Sequence, residues 1–422
     1  MHDLFPQDAS PAASRPPATW IVGLFLALTA AYWAWDHVWL YHIWREDLIV
    51  YMRAMQAFQA GTSPYGDALA PLYFLYPPFF LYLGGFVSSP LPAGWGDEAY
   101  TALHVGATLA LPLVLARYYF RQPCLSPLFA LLLFLASPLF MGILALCGLN
   151  IASTLYCMMI VAGVPGLRRD RWIWFYCAVF VAAMVKIPFL ALLLLPILVG
   201  RRQLRQWVNC ALCGVAVVGA NLLEARLLPD LYAGYKWSLL QGIVHQGYYG
   251  FGVFGVVAAY GYKLHLPLPS SAYAIAITLA VAMVAGMLLL RQRLEKAGRG
   301  SSSTSGLSSD LRSGLSGNGI WLALVVVLII QVNPRQLQYD ADISLLAAFV
   351  LWAYALRIRK PMGLIGLMVA LFVPGLLIPL VVKAPHQYGM YGTFETLAAF
   401  ALVFWRLWRE AGPQLSLAST PA

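Results

Sequence analysis

The chain has 422 residues, 61% of them hydrophobic and only 10% charged, with a formal net charge of +10 at pH 7. Soluble domains are nearer a quarter charged, so an ordinary soluble globular protein is excluded. The apolar runs are continuous rather than alternating, which excludes a membrane β-barrel.

The expected fold class is therefore all-α: a multi-span integral membrane protein. Apolar blocks of about 14–25 residues between Ala18 and Trp408 read as about 11–13 transmembrane helices. Residues 1–17 are expected to be a cytoplasmic tail, 18–408 a single transmembrane domain and 409–422 a second cytoplasmic tail. The cations cluster between apolar blocks: Arg168, Arg169 and Arg171; Arg201, Arg202 and Arg205; Arg291, Arg293, Lys296 and Arg299; Arg357, Arg359 and Lys360; Arg406 and Arg409. That spacing follows the positive-inside rule and records topology. With no basic-aromatic module beside it, no nucleic-acid partner is expected. The N-terminus has neither the basic region nor the cleavage site of a signal peptide, so the first span is expected to stay.

By this count the first span exits outward and residues 39–73 form an external loop. Within it "REDLIVYMRAMQAFQAGTSPYG" (45–66) reads as a juxtamembrane helix stopped at Gly61 and turned by Ser63-Pro64-Tyr65-Gly66. Asp47 and Tyr51 are four apart and share one face of that helix. "FLYPPFF" then returns to the membrane, its two prolines restricting the backbone around Tyr76. Residues 74–90, 97–117 and 125–148 each count as a span. Their parity clashes with the rest of the chain, which leaves Asn150 on either side by loop charge alone.

Residues 172–200 lie between two cationic clusters and are too long for one span. They are expected to form a hairpin of two half-length helices with Lys186 at its external tip. A span over 207–227 leads to an external loop, 228–270, that carries His245. A span over 271–290 leads to a flexible cytoplasmic loop, 291–318, rich in Ser, Gly and Arg. "NPRQLQYDAD" (333–342) is an external loop before a late span. The Cys210-x-x-Cys213 pair lies in an apolar helix with no second pair, and reads as packing rather than a metal site or disulfide.

The outward polar residues are few, and one carboxylate stands among several cations and aromatics. That set suits a reaction that removes a proton from a hydroxyl and releases a phosphate. Asp47 would be the general base, and fixed cations would stabilise the leaving anion. Plainer readings stand beside these: a solvated interface charge for Asp47, a snorkelling Lys186, a headgroup anchor for Arg335, an exposed loop residue for His245, and helix N-caps for Asp340 and Asp342.

The order Asp47, Val50-Tyr51, "RAMQAFQAG", "GTSPY", "FLYPP" resembles glycosyltransferase family 87, membrane enzymes of the GT-C class related to polyprenyl-phosphate-mannose-dependent α-mannosyltransferases. "VKIPFLALLLLPILVGRRQLR" looks like the family's Lys–Pro kink, and "VNPRQLQYDADI" resembles its late proline-led motif. The resemblance implies the GT-C fold and a hexosyltransferase that moves a hexose, mannose being the expected one, from a polyprenyl-phosphate donor to a glycolipid or envelope glycan acceptor. It implies inversion with Asp47 as base, the donor phosphate held by Arg335, Lys186 and His245, and substrate contacts from Tyr51, Tyr65, Tyr76, Asn150, Gln338, Tyr339 and Asp340. It also implies a bacterial cytoplasmic (inner) membrane with the site facing the periplasm, membrane lipids as surroundings, and no cofactor. Asp340-Ala341-Asp342 is the one external spacing that would hold a divalent metal.

Two places depart from the family. Its "GQxN" reads Cys147, Gly148, Leu149 and Asn150 here, so the Asn alone is kept. Tyr339 and Asp340 stand where some members carry histidines. The competing class is a transporter or flippase for a lipid-linked or anionic substrate. It should show polar residues through successive spans and internal repeats, and no repeat is evident in the sequence.

Overall fold

The computed structural model describes residues 17–35, 45–66, 73–88, 95–122, 125–136, 146–245, 250, 252–263, 270–300, 318–334, 338–358, 363–371, 373 and 386–411. Among the described residues the regular structure is all helical, with no strand. In chain order the helices are α1 (Pro17–Ala34), α2 (Glu46–Gln59), α3 (Pro78–Ser88), α4 (Trp95–Val114, extended by a π-turn Leu115–Phe120) and α5 (Pro127–Ala136). Next come α6 (Ile151–Arg169), α7 (Ile173–Val185), a 3-10 segment Ile187–Leu193 running into α8 (Leu194–Val199), and α9 (Gln203–Leu227). The chain continues with α10 (Pro229–Leu239, extended by a π-turn Leu240–His245), α11 (Val253–Lys263), α12 (Ser270–Gly300), α13 (Gly319–Gln331), α14 (Gln338–Ala355) and α15 (His386–Glu410).

Four stretches among the described residues are long and apolar enough to cross a membrane: Gly96–Phe120, Ile151–Arg169, Gln203–Leu227 and Tyr273–Lys296; six further apolar helices are shorter. α13 is the core: every residue from Gly319 to Gln331 is buried, as a helix apolar on all sides requires. It starts hard against α4, because a Cβ at Gly319 would overlap the Phe120 carbonyl. α9 does the opposite and exposes Leu204, Leu212, Val215 and Leu222 on its outer face. An apolar surface of that extent suits lipid rather than water.

The arginine clusters gather at one end of the bundle. Arg168 and Arg117 lie 4.7 and 5.9 Å from the Tyr118 ring, joining the ends of α6 and α4. The Asp170 carboxylate accepts from the Arg201 backbone N–H at 3.2 Å and the Gln206 side-chain amide at 3.3 Å. Residues 173–199 therefore go out and come back as a hairpin. Its break falls at Lys186, which is extended (φ −149°, ψ 98°), and Pro188 sits in the first turn beyond, where its missing N–H costs no bond. Arg293 stacks 3.8 Å over Trp408, and Arg406 donates to the Tyr354 carbonyl at 3.4 Å, adding α12, α14 and α15 to the same end.

The parity left open by loop charge is decided by packing. The Tyr100 hydroxyl donates to the Leu149 carbonyl at 2.8 Å, His104 pairs with Thr154 at 3.2 Å, and Tyr118 meets Arg168 at the far end. α4 and α6 thus run side by side in the same direction. Asn150 starts α6 at the end opposite the arginines, about 28 Å away by helix rise.

Several expectations need correction. Residues 291–300 are not loop: α12 continues through them. The "RQRLEKAGR" stretch is made of good helix formers, and the buried Arg291 pairs with Glu295 at 2.8 Å one turn on. Residues 228–270 are not a bare loop either, since they hold α10 and α11. α3 has 11 residues, too few for the full span expected over 74–90. The last helix runs past residue 408 to Glu410. The 1–16 tail, the 301–317 stretch and Cys124 lie outside the described residues. Cys210 and Cys213 are buried and donate to the Leu193 and Tyr176 carbonyls, at 3.3 and 3.7 Å, where α9 meets the hairpin.

Candidate active site

Asp47 lies in the first turn of α2. Arg45 caps that helix in a left-handed conformation (φ 63°), its backbone N–H donating to the Cys147 carbonyl at 2.9 Å. Its guanidinium holds both oxygens of Glu98 at 3.0–3.1 Å. These contacts tie the start of α2 to the first turn of α4 and to the residues just before α6. The position also suits an acid, because a helix N-terminus carries a partial positive charge.

The Asp47 carboxylate accepts from the Asn150 side-chain amide at 3.0 Å. Which way that amide points is settled by its other end. Asn150 caps α6, and its carbonyl oxygen accepts from the Ala152 N–H at 2.9 Å. The NH2 must therefore face Asp47. Gly148 sits beside the carboxylate, where a Cβ would meet an Asp47 oxygen at 3.7 Å.

Tyr51, one turn along the same face of α2, meets the next residue of α6. Its hydroxyl accepts from the Ile151 N–H at 3.2 Å and pairs with the Tyr76 hydroxyl at 2.9 Å. Burial first, then the neighbouring Tyr76 and Asp47, hold this phenol well above its ordinary range. It works as a neutral hydrogen-bonding group. Edge contacts to Tyr76, Phe80 and Tyr100 at 5.3, 5.2 and 6.2 Å enclose its ring.

The turn carrying Tyr76 is held from two sides. The Tyr65 hydroxyl donates to the Tyr76 carbonyl at 2.9 Å. Beyond Pro78, which has no N–H, the Phe79 N–H donates to Glu224 of α9. A carboxylate from 145 positions away thus acts as the N-terminal cap of α3. Glu224→Ala should lower stability by about 1 kcal/mol, the scale of a lost cap, read as a drop in thermal midpoint. An unchanged midpoint would mean that the cap is replaceable by other groups.

Of the residues singled out in the sequence, Asp47, Tyr51, Tyr65, Tyr76 and Asn150 converge here. Lys186 stands at the break of the hairpin. Its ammonium lies 5.5 Å from the Phe189 ring, which packs edge-on against Tyr156 at 4.9 Å; the Tyr156 hydroxyl accepts from the buried Asn333 amide at 3.4 Å. Tyr156 is on α6, about 9 Å along the axis from Asn150. Arg335 lies outside the described residues. For His245, Gln338, Tyr339, Asp340 and Asp342 the helical backbone alone is described. His245 ends a π-turn whose Gly242 packs against Leu75. Asp340 and Asp342 lie inside α14, which begins at Gln338, so they are not its N-cap.

The sequence reading missed Tyr100, His104 and Glu224. His104 is fully buried and bridges Thr154 and Thr108, each at 3.2 Å, while stacking on Tyr100 at 6.1 Å. A signal was present: Tyr100, His104 and Thr108 recur every four residues as a polar stripe on an apolar helix. The chain matches no protein-family model, and no curated protein matches it.

Proposed function

We propose that the chain is a membrane glycosyltransferase of the GT-C type, moving a hexose from a polyprenyl-phosphate donor to a glycolipid or glycan acceptor. The observation that carries this reading is the convergence of Asp47, Asn150, Tyr51 and Tyr76 at the end of the bundle opposite the arginine clusters. By the positive-inside rule that end faces outward, the periplasm in a bacterial cytoplasmic membrane. Nucleotide sugars are absent there, whereas a lipid carrier diffuses in the bilayer.

Asp47 takes the proton of the acceptor hydroxyl. The oxygen attacks the anomeric carbon, the bond from that carbon to the phosphate oxygen breaks, and polyprenyl phosphate leaves with the electron pair. The configuration inverts. Asn150 aims the carboxylate, the buried Tyr51 and Tyr65 hold the turn through their hydroxyls, and the half-buried Tyr76 is the tyrosine that meets a sugar. The leaving phosphate is assigned to Lys186, Arg335 and His245, as the resemblance to glycosyltransferase family 87 implies.

The test is incubation of purified protein with radiolabelled polyprenyl-phosphate mannose and membrane extract. Label passing into a covalent product, with release of polyprenyl phosphate, is the expected result. Label that crosses a bilayer without changing its chemical form would favour a carrier instead.

The orientation has its own test. In a background without native cysteines, Asp67→Cys and Gln387→Cys should react with an impermeant thiol reagent in intact cells. Ser303→Cys should react only after permeabilisation. Reaction of Ser303→Cys in intact cells would reverse the topology and move the chemistry to the cytoplasmic face.

A further inference from the structure

The opposite end of the bundle holds a cavity of about 540 Å3 between the last turns of α14 and α15. Arg357, Arg406, Arg409 and Glu410 line it together with Leu402 and Trp405. α14 ends there in a Schellman turn, with Ile358 N–H on the Ala353 carbonyl at 2.9 Å and Arg357 N–H on the Tyr354 carbonyl at 3.1 Å. The left-handed position of that turn is normally glycine. Here it is Arg357, with φ 52°. Arg45 and Arg121 are left-handed too, so the conformation alone marks no site; the cavity beside Arg357 does.

The three guanidiniums are not equivalent. Arg406 is bound to Glu410 at 2.9 Å and lies 4.8 Å over the Tyr354 ring, so it ties the two helices together. Arg409 stacks 4.8 Å over Trp405. Arg357 and Arg409 are both exposed. Three positive charges face one carboxylate and two helix C-termini, each C-terminus worth about half a negative charge. Roughly one positive charge is left without compensation. Leu402 and Trp405, 38% and 53% exposed, form an apolar flank to the cavity.

We propose that this cavity binds the phosphate of an anionic lipid headgroup. A guanidinium fork matches phosphate oxygens. The apolar flank suits the start of an acyl chain, which free phosphate lacks, and basic pockets between helices on the cytoplasmic side are where anionic headgroups bind. The inference needs the bundle to lie in a membrane with this end at headgroup depth. It does not need the transfer chemistry proposed for the other end.

The experiment titrates full-length protein in detergent with phosphatidylglycerol, chain-matched phosphatidylcholine and inorganic phosphate, counting bound lipid by native mass spectrometry. Phosphatidylglycerol should bind preferentially. Arg357→Gly relieves the left-handed strain, so its thermal midpoint without lipid should equal or exceed that of the parent, while its affinity for phosphatidylglycerol falls about fivefold, the scale of one interfacial cation. Arg409→Gln should fall similarly. Unchanged phosphatidylglycerol affinity in both variants, or equal binding of the two lipids, would overturn the proposal. Displacement of the lipid by millimolar inorganic phosphate would overturn it in favour of a soluble ligand. Sugar transfer should be the same in the Arg357→Gly variant and the parent, so a failure here is separable from a failure of the proposed enzyme reading.

Discussion

Asp47→Asn is expected to keep the fold and lose about 10²–10⁴-fold in sugar transfer, the usual share of a general base. The replacement has the same shape, and its side-chain oxygen can still accept from the Asn150 amide that now donates at 3.0 Å. What disappears is the ability to take a proton. The fold should lose no more than the charge–dipole contribution at the start of α2, about 0.3–1 kcal/mol. Transfer at the parent rate by purified Asp47→Asn would rule out the base role. Asn150→Asp gives a sharper reading. Its carboxylate can still cap Ala152, as the Asn150 carbonyl oxygen does at 2.9 Å, but the donor facing Asp47 becomes a second acid. Two carboxylates sharing a site raise the pKa of one of them. The base must be ionised to act, so the rising limb of the pH–rate profile should move to higher pH. An unmoved limb would show that Asn150 does not govern the acid.

Arg291→Ala should destabilise the protein by about 3–5 kcal/mol, the scale of breaking a buried charged contact by removing one partner. Arg291 is 3% exposed. It donates to the Ile197 carbonyl at 2.5 Å, the Gly200 carbonyl at 2.7 Å and Glu295 at 2.8 Å. Those carbonyls are the orphan acceptors at the C-terminal end of α8, so one guanidinium closes the hairpin against α12. Truncation leaves them buried and unmet. Arg291→Lys restores the charge but not the fork and should recover part of the loss. Thermal unfolding in detergent reads both variants. A midpoint for Arg291→Ala within a degree or two of the parent would refute the structural role.

How far each feature was legible follows the range of the forces behind it. Helicity, the juxtamembrane helix and its stop are local. The run from Glu46 to Gln59 is helical, and Gly61 follows with φ 70°, the left-handed conformation that the sequence calls for after a helix end. Asp47 and Tyr51 share a face through helix periodicity alone, and both do meet the start of α6. Tertiary structure decided what lies opposite them. Asn150 is 103 positions from Asp47 and Glu224 is 145 from Phe79; no local pattern links such pairs. The same holds for Lys186, whose ammonium lies against Phe189, which packs on Tyr156 of α6. Orientation was illegible for a related reason. α13 is apolar and buried on every side, so its sequence carries no face that would name its neighbours. The packing of such helices is set by shape, and shape exists only once the chain has folded.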